Sequence, residues 1–362
     1  METGNPSVLR FSLLNMYELS RTIELEVSSS CIPNNLSTYY SDENTATYAC
    51  VAHRDQVNIV KWEQKDPKGA KLESDVYEIK PDDVRRRTIV VQAKLCAVSQ
   101  RSFPLLVVSC TTHIAIFDPL TKKQLCSTSI RELKHLTKYP FACGISVVES
   151  TILVGSSSGE IFVFSCSGDS IVHLKTTLNT HSAPITDIAT CVFDSLTCSS
   201  DATGLLVVWG KNHKVSKQIS TKSRLYETLS NVQKFSHSIS CLNVLRKHAI
   251  CGTHFGQVLF YSTQNGELMS EVSAHARPVY SISVAPESAY VLTASEDTFV
   301  RVWKLHTRKP EPFQVEWRFS VTVPDFPIVG AQFTNGRGSQ FAVAAFDSKK
   351  INVFRIAKKP TQ

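Results

Sequence analysis

Two segments of this chain repeat one arrangement of polar and aromatic residues. His181 lies 28 residues before Trp209, and His275 lies 28 residues before Trp303. Between these anchors, each segment contains three short runs rich in β-branched and aromatic residues, separated by Pro, Gly, Asp or Ser, which is the pattern of short strands joined by turns. A repeat of this kind predicts an array of small antiparallel sheets. The two segments read HSAPITDIATCVFDSLTCSSDATGLLVVW and HARPVYSISVAPESAYVLTASEDTFVRVW.

The two segments also share a hydroxyl residue and an aspartate at the same spacing from each other. Thr197 and Asp201 are four residues apart in the first segment, as Thr293 and Asp297 are in the second. The segments therefore resemble the WD repeat (WD40) family. That family joins a His before the first strand, a Ser or Thr on the second strand, an Asp in the following turn and a Trp on the third strand. The resemblance implies a β-propeller in which His181, Thr197, Asp201, Trp209, His275, Thr293, Asp297 and Trp303 form two structural tetrads.

The same residue types could form a Ser/Thr-His-Asp catalytic set, and we weigh that alternative here. A buried His–Asp pair is costly unless every donor and acceptor finds a partner, and a hydroxyl and an indole N–H supply those partners. Because the set occurs twice at equal spacing, it has the character of a structural repeat rather than of a single active site. We therefore predict no catalytic residues.

Five weaker copies of the strand–turn–strand pattern bring the number of predicted blades to seven. Spacings between the ends of successive copies, from 42 to 55 residues, suit WD blades with some long loops, and the double-glycine signature of kelch repeats is missing. Without a full tetrad, these five blades are predicted to be held by apolar packing alone. The five copies end at Trp62, Phe117, Phe164, Tyr261 and Phe354.

An alternating segment near the N-terminus is predicted to close the ring. TIELEV (22–27) reads as an edge strand, and we expect it to complete the last blade, which removes the exposed edges that an open ring would leave. The predicted organisation is a flexible extension (1–21), an all-β seven-bladed propeller (22–356) and a tail (357–362). Within the WD repeat family, the chain resembles one subfamily in particular. This similarity is strongest over residues 155–305.

Composition and motif content limit the cellular compartment and the kinds of chemistry that we expect of this chain. The eleven cysteines are an odd number and include no CxxC pair, which favours a reducing, cytosolic compartment over disulfides or a zinc site. The N-terminus lacks the charge and apolar pattern of a signal peptide, and no apolar run is long enough to span a membrane. Phosphate-loop, dinucleotide, zinc-hydrolase and serine-hydrolase motifs are missing from the sequence. We expect a cytoplasmic protein, peripheral to membranes or vesicles at most, without cofactor or metal.

The loops at one end of the ring contain a set of basic and aromatic residues. With a net charge of +7, this face is predicted to bind acidic protein segments, because arginine and aromatic residues dominate interface hot spots. The leading hypothesis is a non-enzymatic scaffold or adaptor, with self-association left open. The alternatives are a basic surface for anionic membrane or nucleic acid, and an enzyme at the channel mouth. The predicted face comprises Arg54, Arg85, Arg86, Arg87, Lys134, Lys138, Tyr139, His254, Phe255, Arg277, Phe346 and Lys349.

Overall fold

Short runs of β-branched and aromatic residues form the strands of the described chain. The computed structural model describes residues 16–63, 73–80, 87–99, 101–130, 142–168, 171–221, 239–307, 312–323 and 325–357. These residues form seven antiparallel four-stranded sheets and one short 3-10 turn (Lys211–His213). The predicted seven-bladed, all-β propeller is therefore confirmed.

Each blade is a meander in which successive strands pair along the chain. The first strand, β1, spans Tyr17–Glu24 and belongs to the last blade. Blade 1 contains β2 (Ser37–Ser41), β3 (Ala46–His53), β4 (Gln56–Glu63) and β5 (Glu73–Glu78). Blade 2 contains β6 (Val90–Cys96), β7 (Leu105–Cys110), β8 (His113–Asp118) and β9 (Lys123–Ser129). Blade 3 contains β10 (Ala142–Val148), β11 (Thr151–Ser156), β12 (Glu160–Ser167) and β13 (Ile171–Asn179).

The remaining blades follow the same order from the inner to the outer strand. Blade 4 contains β14 (Ile185–Thr190), β15 (Thr197–Asp201), β16 (Leu205–Trp209) and β17 (Val215–Ser220). Blade 5 contains β18 (Ile239–Leu245), β19 (His248–Thr253), β20 (Gln257–Ser262) and β21 (Leu268–Ser273). Blade 6 contains β22 (Val279–Ala285), β23 (Tyr290–Ser295), β24 (Phe299–His306) and β25 (Gln314–Thr322). Blade 7 contains β26 (Ile328–Phe333), β27 (Gln340–Ala345) and β28 (Lys350–Ile356), and β1 is its outer strand.

The ring closes through the N-terminal strand, as predicted. Strand β1 pairs antiparallel with β28 from Tyr17, opposite Ile356, to Glu24, opposite Lys350. Closure in this way leaves blade 7 with the same four strands as the others and removes an open edge.

The bounds of the closing strand differ from the prediction. The strand begins at Tyr17 rather than at residue 22, because the Tyr17 ring packs against Phe319 and Phe341 and its hydroxyl donates to the Gly338 carbonyl. Residues 17–21 of the predicted flexible extension are thus part of the sheet, and residues 1–15 lie outside the described residues. Of the predicted tail, the structure describes Ala357 alone, whose amide donates to the Met16 carbonyl at 3.1 Å.

Apolar side chains fill the spaces between neighbouring blades. One cluster joins blades 6 and 7 through residues such as Leu292 and Val343, and another joins blades 2 and 3 through residues such as Ile116 and Ile152. Because the second and third strands of a blade are covered on both faces, their apolar residues come in near-continuous runs, as in β7 and β8.

Side-chain hydrogen bonds also join each inner strand to the next around the whole ring, so the prediction of apolar packing alone is wrong. We call this set the polar belt, and its members lie on β2, β6, β10, β14, β18, β22 and β26. From blade 1 onward the hydrogen-bonded pairs are Ser37 Oγ with Leu95 N (3.1 Å), Gln92 Oε1 with Gly144 N (2.8 Å), the Ser146 and Thr190 hydroxyls (2.8 Å), and Asp187 Oδ2 with Leu242 N (2.9 Å). The belt continues with the Ile282 carbonyl and Asn243 Nδ2 (2.9 Å), Ser283 Oγ with Phe333 N (3.0 Å) and Gln332 Oε1 with Thr38 N (2.6 Å).

Candidate functional site

The two ends of the ring carry different groups of loops. We call one end the tetrad face: it carries the loops that enter each inner strand and the turns between second and third strands. The opposite end, the mouth face, carries the turns between first and second strands and between third and fourth strands. Functional residues of repeat folds concentrate on such loops, so both faces are candidates.

The blade 6 tetrad forms one continuous hydrogen-bonded relay. His275 Nδ1 lies 3.1 Å from both carboxylate oxygens of Asp297, and His275 Nε2 lies 2.9 Å from Thr293 Oγ1. The Trp303 indole N–H donates to the same Oγ1 at 3.0 Å. With an anion at Nδ1, the consistent assignment is that Nδ1–H donates to Asp297 and that the Thr293 hydroxyl donates to Nε2.

In blade 4 the hydroxyl of the relay belongs to Ser199, and the assignment to Thr197 is wrong. His181 Nδ1 lies 2.8 Å from Asp201 Oδ2, and His181 Nε2 lies 2.7 Å from Ser199 Oγ. The Trp209 indole N–H donates to that oxygen at 2.8 Å. Thr197 instead shares a hydrogen bond of 3.0 Å with the Thr190 hydroxyl.

The hydroxyl of the blade 4 relay lies two residues later than predicted, and the cause is the turn that follows it. In both blades the hydroxyl residue lies 10 residues before the Trp, because that distance is fixed by two paired strands. The aspartate is not fixed in this way. In blade 4, Thr203 lies at the position that Asp297 occupies relative to Trp303 in blade 6. Its amide and hydroxyl bind Asp201 Oδ1 at 2.9 and 2.6 Å, so Asp201 reaches His181 from two positions earlier.

Protonation in these relays favours a structural role. Burial alone would raise the pKa of Asp297, but hydrogen bonds from His275 and from the Ala276 and Phe299 amides outweigh it and lower the pKa to about 2. Burial lowers the pKa of His275. The pKa of Asp201 is also lowered, since the hydrogen bonds from His181 and Thr203 outweigh burial. Each hydroxyl is already engaged by an imidazole and an indole, so it has no path to an external electrophile.

Three of the predicted binding residues come together on the tetrad face at blades 5 and 6. His254 and Phe255 form the turn between β19 and β20, and the Gly256 carbonyl in that turn accepts the His275 amide at 2.8 Å. Gly256 has φ +81, and a Cβ there would lie 2.9 Å from the Arg277 carbonyl oxygen. Arg277 and the exposed Phe255 therefore belong to one patch.

A second patch on the tetrad face centres on blade 7. The Phe346 amide donates to the Pro327 carbonyl at 2.8 Å, which places exposed Phe346 beside exposed Phe326. Lys349 ends the same turn, and its carbonyl accepts the Leu25 amide at 2.8 Å. Sequence reasoning found Phe346 and Lys349 but missed Phe326, whose position before Pro327 gave no signal of exposure.

The other predicted residues of this face are only partly described. The Arg54 carbonyl accepts the Val90 amide at 2.6 Å, so the Arg54 turn adjoins the loop that carries exposed Arg87 and Ile89. Arg85, Arg86, Lys134, Lys138 and Tyr139 lie outside the described residues. The described part of the face also carries acidic residues that the prediction left out, namely Asp55, Glu296, Asp325 and Asp347.

A central channel runs between the inner strands and encloses about 860 Å³. At the tetrad end its lining includes Asn34, in the segment between β1 and β2, and Asp187. The Asn34 amide donates to the Tyr280 carbonyl at 3.0 Å, and its side chain donates to Asp187 Oδ2 at 2.9 Å. These bonds tie a loop to blades 6 and 4 across the ring, and we call residues 32–35 the plug. At the mouth end the lining includes Val192, Glu287 and Arg337.

Burial raises the pKa of the Asp187 carboxyl to about 6. Three hydrogen bonds, from the Leu242 and Ile188 amides and from the Asn34 side chain, oppose this increase, and so does the positive charge of Lys94. The Lys94 ammonium donates to the Ile145 carbonyl at 2.6 Å. Lys94 and Asp187 both line the channel, among hydroxyl and amide groups of the inner strands.

The described residues form neither a metal site nor a membrane-spanning helix. Within the part of the chain that the structure describes, no group of three or more His, Cys, Asp or Glu side chains has the arrangement of a metal site. No helix among the described residues is long and apolar enough to cross a membrane. All eleven cysteines are free thiols, and burial raises the pKa of Cys50 and Cys96 to about 12.

Comparison with known proteins extends over almost the whole described chain. The family model WDR54 matches residues 16–357. WD repeat-containing protein 54 of Mus musculus is 28% identical over 352 residues, which cover 93% of this chain and 98% of the mouse protein. Its Homo sapiens counterpart is 29% identical over 355 residues, covering 94% and 99%. The WD40 β-propeller domain of Doa1 has a TM-score of 0.64 at 16% identity, covering 94% of this chain and 97% of that domain. The subfamily resemblance in the sequence is thereby confirmed.

Proposed function

The chain belongs to the WDR54 family, and we propose that it is a non-enzymatic scaffold that binds acidic segments of partner proteins through its tetrad face. WD40 propellers in general bind proteins, and the match to WD repeat-containing protein 54 covers nearly the entire chain. A fold alone does not identify a partner, so the proposal depends on the loops of this face.

The observation that carries the proposal is the pairing of exposed aromatic and basic side chains in two patches. Phe255 lies with Arg277 in one patch, and Phe346 lies with Lys349 in the other. Aromatic and arginine side chains contribute most of the binding energy at protein interfaces, and neighbouring charge selects partners of opposite sign. The acidic residues Asp55, Glu296, Asp325 and Asp347 on the same face would restrict binding to segments whose carboxylates meet the two patches.

The saturation of the tetrads supports a non-enzymatic role. His181 and Asp201 have side chains with no exposed surface, and their hydrogen bonds are used within the blade. We place the protein in a reducing, cytosolic compartment, because its cysteines are free thiols and most are buried as small apolar side chains.

Affinity capture with quantitative mass spectrometry tests the proposal. We compare the natural chain with the variant Arg87→Glu/Arg277→Glu and with a control, Lys122→Glu/Lys123→Glu, whose substitutions lie between β8 and β9 on the mouth face. Partners with acidic segments should be lost from the first variant and retained by the control, since charge reversal of a hot-spot arginine costs about tenfold or more in affinity. Unchanged capture by Arg87→Glu/Arg277→Glu would contradict the proposal.

A second experiment distinguishes a protein-binding face from a face that binds polyanions. Binding of the purified chain to DNA, RNA or vesicles containing phosphatidylserine is measured as a function of salt. A protein-binding face predicts weak binding to all three. Tight binding that falls steeply with salt is the signature of phosphate contacts and would favour the alternative function.

A further inference from the structure

The turn between β14 and β15 projects two apolar side chains into solvent at the open end of the channel. Val192 is 75% exposed and Phe193 is 53% exposed, and Val192 also lines the cavity. Among the described turns between first and second strands, this one carries the large exposed apolar residues. Adjacent exposed apolar side chains rimmed by polar groups mark interaction sites more often than isolated ones do.

The turn that presents these side chains is held in one conformation. The Cys191 amide donates to the Leu196 carbonyl at 2.8 Å, and the Ser195 amide donates to the Cys191 carbonyl at 3.1 Å. The Leu196 amide donates to Asp194 Oδ1 at 3.2 Å. Because the backbone is already ordered, a partner would bind Val192 and Phe193 without the entropic cost of ordering this loop.

Positive charge lies directly beside the two apolar residues. The neighbouring turn, between β18 and β19, consists of Arg246 and Lys247, and both are exposed. The Arg246 guanidinium lies 5.4 Å from the centre of the Phe193 ring, within the range of a cation–π interaction. Aromatic residues and arginine are both enriched at protein interfaces, so the Phe193–Arg246 pair is the centre of this candidate site.

The charge around the mouth is unevenly distributed. Asp42 and Glu43 lie on the blade 1 side, where β2 turns into β3. Glu287, in blade 6, is paired with Arg337 of blade 7 at 3.2 Å. Among the described turns between first and second strands, the cations that take part in no described ion pair are Arg246 and Lys247, next to Phe193.

We propose that the mouth of the channel at blades 4 and 5 is a docking site for an extended protein segment in which an apolar side chain adjoins an acidic one. The apolar side chain packs on Val192 and Phe193 at the rim of the cavity. The carboxylate pairs with Arg246 and Lys247, which fixes the direction in which the segment lies. This site is on the mouth face, so it is independent of the function proposed for the tetrad face.

The experiment selects binders from a library of random dodecapeptides displayed on phage, using the intact chain as bait and removing phage that bind Val192→Ser/Phe193→Ser. Enriched peptides should contain Asp or Glu beside a large apolar residue. One such peptide, labelled with fluorescein, is then titrated by fluorescence anisotropy. Val192→Ser/Phe193→Ser and Arg246→Glu/Lys247→Glu should each weaken binding about tenfold or more, as loss of a hot-spot contact does.

Matched controls separate a direct contact from a general effect. Leu120→Ser removes an exposed leucine from the turn between β8 and β9 on the same face and should leave affinity within about twofold. Exchanging the acidic residue of the peptide for Lys should restore binding to Arg246→Glu/Lys247→Glu, which shows direct coupling. The proposal is overturned if no peptide is enriched, if enriched peptides lack an acidic residue, or if the blade 4 and blade 5 variants bind as the natural chain does.

Discussion

The tetrads and the mouth turn of blade 4 differ in how far their polar and apolar groups are already engaged. On the tetrad face, His181 and Asp201 have no exposed side-chain surface, and the plug residue Asn34 is bonded to Asp187 across the channel. On the mouth face, Val192, Phe193 and Arg246 are exposed around an open cavity. The residues that look like catalytic machinery are thus the least available for chemistry, and the residues available for binding belong to no motif.

The largest expected effect comes from breaking a tetrad. Asp201→Ala leaves the buried His181 imidazole without its acceptor and frees the Thr203 and Leu205 amides. We expect the free energy of unfolding to fall by about 3–5 kcal/mol, as for other buried pairs that lose one partner. Chemical denaturation measures the change. Asp297→Ala should lower the free energy of unfolding by less. The Asp297 side chain is 7% exposed, so water can replace its hydrogen bonds.

An aspartate on the mouth face provides the control for that variant. Asp194 is exposed, and its carboxylate accepts hydrogen bonds from the Leu196 amide and the Cys191 thiol. Asp194→Ala should therefore cost about 1 kcal/mol or less. Equal losses for Asp194→Ala and Asp201→Ala would remove the distinction between the two faces.

The next effect concerns pH and the carboxylate that holds the plug. The folded pKa of Asp187, about 6, lies above its ordinary value of 3.8, so the folded chain binds more protons than the unfolded chain between these pH values. Ionisation of Asp187 therefore lowers the free energy of unfolding as pH rises from about 4 to about 6. The total decrease is as much as about 3 kcal/mol. Asp187→Asn should lack that decline, as measured by urea unfolding at a series of pH values.

Other groups change stability in the opposite direction, which is why the variant is needed. The lowered pKa of Asp297, about 2, gives stability that is present above pH 4 and is lost as pH falls toward 2. The lowered pKa of His275 likewise gives stability that is lost as pH falls below 6.5. The difference between the natural chain and Asp187→Asn isolates Asp187. Parallel stability curves for the two proteins would show that its ionisation costs nothing.

A smaller effect distinguishes the true hydroxyl of blade 4 from its neighbour. Ser199→Ala leaves a buried imidazole nitrogen and the Trp209 N–H without a partner, at a cost of about 2 kcal/mol. Thr197→Val keeps the shape of the side chain and removes the hydrogen bond to Thr190, at a cost of about 1 kcal/mol or less. Thermal or urea unfolding of both variants decides the order, and a larger loss for Thr197→Val would reverse the assignment.

The blade count could be predicted from sequence because each third strand contains a large aromatic residue within its last four positions. Trp62, Phe117 and Tyr261, for example, all lie within third strands. The tetrad hydroxyl could not be fixed in the same way, because Thr197 and Ser199 lie in one strand and the matched spacing to aspartate depended on the length of the turn. Register counted from Trp209, rather than from Asp201, would have selected Ser199.

Contacts between distant parts of the chain were beyond sequence reasoning. Asn34 and Asp187 are 153 residues apart and meet only because the ring brings blade 4 opposite the segment that enters blade 1. The polar belt depends on which inner-strand side chains face the next blade, and a bulge in the register between Ile185 and Asp187 changes that orientation. The start of β1 at Tyr17 was missed because its stabilising contacts, with Phe319 and Phe341, lie at the far end of the chain.

The smallest expected effect is on the mouth face. Val192→Ser/Phe193→Ser removes two side chains that are mostly in solvent, so the free energy of unfolding should change by about 0.5 kcal/mol or less. Scanning calorimetry measures it. A loss of several kcal/mol would mean that these residues stabilise the fold rather than serve a partner.

The most direct test of the central claim, that the tetrads hold the fold and perform no catalysis, is histidine modification of the folded chain by diethyl pyrocarbonate, followed by peptide mass spectrometry. His306 has 44% of its side chain exposed, whereas the His181 and His275 side chains have none. The structure predicts that His306 is modified quickly while His181 and His275 stay unmodified until the protein unfolds. Modification of His181 and His275 in the folded protein at the rate of His306 would contradict the account and would return both residues to consideration as an active site.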